Sequence, residues 1–301
     1  MPQKSSVVDP EAPEVEAFDD QGLPWPDRGL DPQQQPHPHT LTGDFRMHRN
    51  FRSRFMIKER DVLVYLPPGY DADPARRFPV LYLQDGQNLF DGATSFIPGV
   101  EWRVDETAQE LITAGEIEPL LIVGIYNAGE RRIHEYTPTP DLRRPAGGGA
   151  GFYGRMLVEE LKPVIDARYR TLQGPEHTGL GGSSLGGLLS LYLGLHYFDV
   201  FGRLAVLSPS VWWDNRLIIR QIQSLGARPP LRIWLDVGTK EGRVANYQAR
   251  LLRDTLMAKG WVLGGDLRYF EADNAPHSEW AWAERVGPML RHLFPARGEH
   301  G

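Results

Sequence analysis

The sequence predicts an α/β fold in which a mainly parallel central sheet, with antiparallel N-terminal strands, carries helices on both faces. Short apolar runs alternate with amphipathic stretches from about residue 62 onward, the change of period expected where strands alternate with helices. The runs at residues 120–125 and 204–208 are apolar along their whole length, as parallel strands buried on both faces are. A glycine-rich turn at residues 179–187 then joins a small apolar run to a stretch with Leu188, Leu189, Leu191, Tyr192 and Leu195 on one face. That strand, turn, helix order closes onto a parallel sheet through right-handed crossovers.

In chain order, residues 1–42 come first; they are rich in Pro, Gln, Asp and Glu with few clustered apolar residues, so an extended or disordered arm is expected. The arm lacks the charged-then-apolar pattern of a secretory signal. Leu23 and Trp25 are the residues able to pin it to the body, and packing on a second subunit of a homodimer is the sharper alternative. His37 and His39 flank a proline and are expected to be solvated, not to bind metal. A single domain is expected over residues 43–296. Antiparallel strands at 45–49 and 62–66 open it, followed by a strand at 78–84, a helix at 104–114, the strand at 120–125 and a helix at 152–167. After the glycine-rich turn and its helix come strands at 204–208, 231–238 and 267–271, then a helix opened by Ser278 or Glu279 and a tail at 297–301.

Composition excludes several classes of function. A formal charge of −6 without a basic block argues against nucleic acid or an anionic membrane surface as a partner. With no cysteine there are no disulfides, thiolate metal sites or cysteine nucleophile. No apolar run reaches the roughly 20 residues needed to span a bilayer, and the expected compartment is the cytoplasm.

The chemistry is concentrated in Gly182-Ser183-Ser184-Leu185-Gly186. G-x-S-x-G between a strand and a helix places Ser184 on a nucleophile elbow, where side chains two residues before or after would strike the neighbouring strand or helix. The helix amino terminus and the amide of Leu185 face negative charge developing on a reacting carbonyl oxygen. A serine hydroxyl needs a base, and only His196, His277, His292 and His300 lie downstream. His196 is at the far end of the elbow helix, His292 in the terminal helix and His300 in the tail. His277 remains, in the turn-rich loop Asp273-Asn274-Ala275-Pro276-His277, to take the Ser184 proton on attack and return it to the leaving alcohol. Glu241 is the chosen acid, because it stands beyond the carboxyl end of the strand at 231–238, where open sheets assemble their sites. It would hold the imidazole tautomer and stabilise the imidazolium. Asp236, late in an apolar strand and in need of a buried partner, is the rival, with Asp273 a weaker third.

A second oxyanion donor is expected from Gly86 or Gln87, in the loop after the strand at 78–84, with Gly86 letting the backbone approach the substrate. Substrate contacts are expected from Asn88 in the same loop, from Arg131 and Tyr136 after the strand at 120–125, and from Trp212 and Trp213 after the strand at 204–208. One tryptophan ring should line the pocket while the other is core. An arginine at this edge fits an anionic group, or equally an ion pair with Glu130 or Glu135. Residues 145–151 read as a glycine-rich surface loop, with a mobile rim as the alternative.

With these positions in hand, the chain resembles the "Putative esterase" family of α/β-hydrolases, which includes enterochelin and other siderophore esterases, feruloyl and acetyl esterases, and esterase D type enzymes. The resemblance runs from about residue 44 to 294. It rests on Val64-Tyr65-Leu66-Pro67-Pro68-Gly69-Tyr70, Asp85-Gly86-Gln87-Asn88-Leu89-Phe90-Asp91, Glu135-Tyr136-Thr137-Pro138, Glu160-Leu161-Lys162-Pro163, the serine turn and Gly238-Thr239-Lys240-Glu241. It implies the α/β-hydrolase fold and a triad of Ser184, Glu241 and His277. One departure is Pro276, where relatives commonly carry small residues; proline restricts the loop but leaves His277 free to turn toward Ser184. The expectation is a serine esterase that hydrolyses carboxylic esters of a small soluble substrate through a Ser184 acyl-enzyme, without metal or cofactor. An acyltransferase using the same triad and a non-catalytic carbohydrate- or siderophore-binding module are the alternatives.

Overall fold

Apolar side chains at almost every position of Val80–Gln84 and Leu121–Ile125 leave no face for solvent, and both strands lie inside a nine-stranded sheet. The computed structural model describes residues 15–17, 37–141 and 146–296. In chain order its elements are β1 (Val15–Ala17), β2 (Asp44–Phe51), β3 (Arg60–Leu66), β4 (Val80–Gln84), α1 (Val104–Thr113), β5 (Leu121–Ile125), α2 (Arg132–Glu135), the short pair β6 (Pro140–Asp141) and β7 (Ala146–Gly147), α3 (Ala150–Arg155) and α4 (Lys162–Arg168). There follow β8 (Thr178–Ser183), α5 (Leu185–His196), β9 (Arg203–Leu207), α6 (Trp213–Ser224), β10 (Arg232–Gly238), α7 (Arg243–Ala258), β11 (Leu267–Ala272) and α8 (Glu279–Leu293).

The sheet order is β1-β2-β3-β5-β4-β8-β9-β10-β11. Pairing is antiparallel from β1 through β3 to β5 and parallel from β5 to β11. Strand side chains alternate between two cores, as the two-residue period of a pleated strand requires. Val80 and Tyr82 join Leu188, Leu189 and Leu191 of α5 on one face. Leu81 and Leu83 join Val104 of α1 and Leu290 of α8 on the other.

The single helix expected over residues 152–167 is interrupted. A π-helical stretch, Met156–Leu161, separates α3 from α4. Pro163, which has no N–H to donate, stands in the first turn of α4. Leu23, Trp25, Pro145 of the glycine-rich segment and the tail at 297–301 lie outside the described residues. The rest of that segment is not a surface loop: Ala146–Gly147 form β7, Ala150 opens α3, and Gly147, Gly149 and Ala150 are buried. His39 is exposed, as expected, and also has Nδ1 2.6 Å from Asp91 Oδ2. Next to it Thr40 donates its hydroxyl proton to Glu101, and the Thr42 amide donates to Asp105 Oδ2 at 2.6 Å. Among the described residues no helix is long and apolar enough to cross a membrane.

Helix α5 lies so close to β9 that a Cβ on Gly194 would come within 2.4 Å of Leu204 Cδ1. Gly194→Val is therefore expected to overpack this seam and cost about 1–3 kcal/mol of stability, read as a lower urea midpoint at an unchanged m-value.

Candidate active site

Strand β8 ends at Ser183 and α5 begins at Leu185, so Ser184 alone turns the chain. Its backbone has φ 57° and ψ −117°, a combination that costs a non-glycine residue on the order of 1–3 kcal/mol. The surroundings hold it there. The Ser184 N–H donates to Leu207 O at 3.0 Å, and its carbonyl accepts from the amides of Leu188 at 3.1 Å and Ser210 at 3.0 Å. The flanking glycines permit this approach: a Cβ on Gly182 would lie 3.0 Å from Gln84 Cβ and 3.1 Å from the Gly186 carbonyl carbon. The side chain of Ser184 faces a cavity of about 290 Å³, whose walls also include Ser208, Ser210, Trp212, Glu241 and His277.

His277 comes from the loop between β11 and α8, and its Nδ1 is 2.7 Å from Glu241 Oε2. An ionised carboxylate only accepts, so Nδ1 carries the proton and the neutral ring leaves Nε2 bare as a base. Glu241 Oε1 accepts from Ser208 Oγ at 2.5 Å and from the Gly238 amide at 2.7 Å. Burial alone would raise this carboxyl's pKa; the hydrogen bonds from His277, Ser208 and Gly238 outweigh it and hold the group below its ordinary value. Glycine at 238 lets the two loops meet, since a Cβ there would fall 2.1 Å from Ala275 O and 3.0 Å from Glu241 Oε1. Ser184 Oγ lies 3.3 Å from Ser210 Oγ, and among the described residues no hydrogen bond joins Ser184 Oγ to His277.

Asp236 has the buried partner its position demanded. Its carboxylate accepts from Arg285 Nη1 at 2.8 Å, Trp234 Nε1 at 2.7 Å and the Ser208 amide at 3.1 Å. Burial pushes its pKa up to about 6, although Arg285 opposes the shift. The third acid, Asp273, accepts from the Asn274 amide at 3.0 Å, outside the cavity wall.

Leu185 opens α5 directly after the serine. Gly86 corrects one expectation. A Cβ there would lie 2.5 Å from the Gly124 carbonyl carbon and 2.7 Å from its oxygen, so it is the backbone of β5, not a substrate, that requires glycine. The same loop is tied down by Asp85, held at φ 59°. Arg132 grips Asp85 with two 2.7 Å hydrogen bonds and Asn127 Nδ2 adds a third at 2.7 Å, while the Gln87 side chain accepts from the Asn127 amide at 3.2 Å.

Among the residues expected to touch substrate, Trp212 lines the cavity and is 37% exposed. Trp213 is core at 1% exposure and donates its indole N–H to Thr139 O at 3.0 Å. Tyr136 is fully buried, its hydroxyl accepting from the Asp85 amide at 3.3 Å. The Asn88 amide oxygen is taken up by the Phe96 N–H at 2.9 Å. Arg131 ends a 3₁₀ turn before α2 and is not on the cavity wall. The ion pair expected of an arginine at this edge is made by Arg132 with Asp85, while Glu135 pairs with Arg60. The sequence reading missed Ser208, Ser210 and Arg285; the only signal for the serines was the run Ser208-Pro209-Ser210 beside Trp212, directly after a buried strand. Away from this cavity, Glu101, Asp105 and Glu106 bring carboxylate oxygens within 4.8 Å of one another, the one group among the described residues that could hold a metal ion.

The "Putative esterase" family matches residues 53–293, well over half of the sequence. The chain belongs to that family. It is a hydrolase of carboxylic ester bonds. YbbA of Bacillus subtilis is 30% identical over 222 residues, covering 71% of this chain and 80% of the relative. Ferri-bacillibactin esterase BesA of the same organism is 31% identical over 188 residues, covering 56% of this chain and 62% of the relative. The enterobactin esterase FES of Shigella flexneri, solved in the presence of enterobactin, superposes with a TM-score of 0.67 at 20% identity over 86% of this chain and 60% of that one, a likeness of fold.

The stabilisation that Glu241 draws from its donors is complete above the ordinary carboxyl pKa of 4.5 and is lost as the pH falls through the depressed value of the folded state. Acidification from about pH 6 to about pH 3 is therefore expected to lower the parent's Tm more than that of Glu241→Gln. Calorimetric scans at several pH values check this, and equal slopes would remove Glu241 from the acid-sensitive groups.

Proposed function

We propose that this esterase works as a serine hydrolase with Ser184 as nucleophile, His277 as general base and acid, and Glu241 as the orienting acid. The observation that carries this reading is the placement of Ser184, on a strained turn, in one cavity with a histidine hydrogen-bonded to a buried glutamate. His277 Nε2 takes the Ser184 proton as Oγ attacks the ester carbonyl, and the oxyanion is met by the amide of Leu185 and by that of Gly86 or Gln87. Collapse expels the alcohol, which leaves with the proton held by His277. Water, deprotonated by the same imidazole, then attacks the acyl-enzyme and frees the acid and Ser184. Glu241 stays ionised throughout and stabilises the imidazolium.

The substrate is read as a small soluble ester. A cavity of about 290 Å³ with the half-exposed Trp212 ring on its wall suits a flat aryl or sugar-like group near the scissile bond. An arm of a siderophore ester, the type of compound for which BesA is named, is one substrate of that shape.

Treatment with a small fluorophosphonate is expected to add one label per chain, located at Ser184 by mass spectrometry and absent in Ser184→Ala. The same substitution should lower kcat for p-nitrophenyl acetate by roughly 10⁴-fold or more. Glu241→Gln should cost far more in kcat than Asp236→Asn. A folded parent that neither labels nor turns over would overturn the reading.

A further inference from the structure

Ser208, on the cavity wall, joins Glu241 to a buried polar framework that the mechanism above does not use. Ser208 follows the end of β9 and holds φ 41°, in the left-handed region that favours glycine. What a serine adds there is a hydroxyl. It donates to Glu241 Oε1 at 2.5 Å and accepts from Trp282 Nε1 at 3.0 Å. The indole N–H can only donate, so it occupies a lone pair of the hydroxyl and directs the single hydroxyl proton away, toward Glu241.

The same residue is fixed from below. Its amide lies 3.1 Å from Asp236 Oδ1, which also accepts from Arg285 Nη1 at 2.8 Å. That guanidinium nitrogen stands 3.7 Å from Glu241 Oε1, and Arg285 Nε donates to Ala281 O at 3.0 Å within α8. The Asp236 and Arg285 side chains are 0% and 1% exposed, so solvent does not compete for these bonds. A carboxylate is free to rotate about its last torsion. Held through Oε1, Glu241 has one orientation, with Oε2 toward His277 Nδ1.

We propose that Ser208 is a positioning residue for Glu241, locking the carboxylate in the rotamer that meets His277, with the buried Asp236–Arg285 pair as its support. The inference rests on the triad assignment above and extends it to a residue whose hydroxyl is bonded to Glu241 and Trp282.

Two substitutions separate the hydroxyl from the backbone. Ser208→Ala removes the hydroxyl and keeps the strained turn; Ser208→Gly removes the hydroxyl and relieves the turn. Both are expected to lose kcat for p-nitrophenyl acetate by about 10- to 100-fold with KM within about twofold, although the glycine variant melts at the higher temperature. In proton NMR the low-field signal of the His277 Nδ1–H bonded to Glu241 should move upfield or broaden in both, a readout that needs no turnover. The proposal is overturned if Ser208→Ala keeps kcat within about twofold of the parent and the low-field signal stays in place, or if Ser208→Gly regains the parent rate. Glu241→Gln in the same series tells the two levels apart. Equal turnover by the parent and Glu241→Gln overturns the triad assignment itself, whereas a slow Glu241→Gln beside a fast Ser208→Ala overturns the positioning role alone.

Discussion

A serine held at φ 57° and ψ −117° sits on the order of 1–3 kcal/mol above a relaxed residue, and much of the surrounding architecture serves to keep it there. Three backbone hydrogen bonds, to Leu207, Leu188 and Ser210, fix both its amide and its carbonyl. They require β9 to lie beside β8 in parallel register and α5 to start immediately at the turn. That closeness in turn requires the glycines. A side chain on Gly187 would run into Leu207 O at 2.8 Å, and one on Gly181 into Ala205 Cβ at 2.5 Å. The strain at one residue is thus offset by a seam of close packing on both sides of the sheet.

Electrostatics follow from burial at the same sheet edge. Three acids, Asp85, Asp236 and Glu241, stand at or just beyond the carboxyl ends of β4 and β10, where water is largely excluded. An uncompensated carboxylate there would be costly, and each has been given cationic or amide partners. Asp85 has Arg132 and Asn127, Asp236 has Arg285 and Trp234, and Glu241 has His277, Ser208 and Gly238. The partners divide the acids by role. Asp85 is locked to Arg132 on its loop and Asp236 to Arg285 within β10, whereas Glu241 presents one oxygen to an imidazole whose other nitrogen has no hydrogen bond among the described residues.

Much of the architecture was legible from local pattern. The antiparallel start and the parallel remainder follow from apolar period and length; the structure differs where the π-helical stretch Met156–Leu161 interrupts the helix expected over residues 152–167, and in adding α6 and α7, which the local pattern left unassigned. Ser184 could be singled out because its turn imposes a local glycine pattern, and His277 because few histidines lie downstream. Substrate contacts were less legible. Tyr136 and Trp213 occupy the right segments but point into the core, since a residue's place along a loop does not fix the direction of its side chain.

By itself, the sequence determined the class of fold, the turn at Ser184 and a short choice of acids, because helix and strand periods and turn chemistry act between near neighbours. Tertiary structure alone decided which partner each acid meets. Glu241 and Asp236 are five residues apart on one strand and its loop; the place beyond the strand end favours Glu241, but local pattern names no partner for either. Asp236 reaches Arg285, 49 residues on, while Glu241 reaches His277, 36 residues on. The same docking of α8 and its preceding loop over the end of the sheet supplies Trp282 to Ser208. These pairings depend on where a helix distant in sequence packs, so they exist only once both cores have formed.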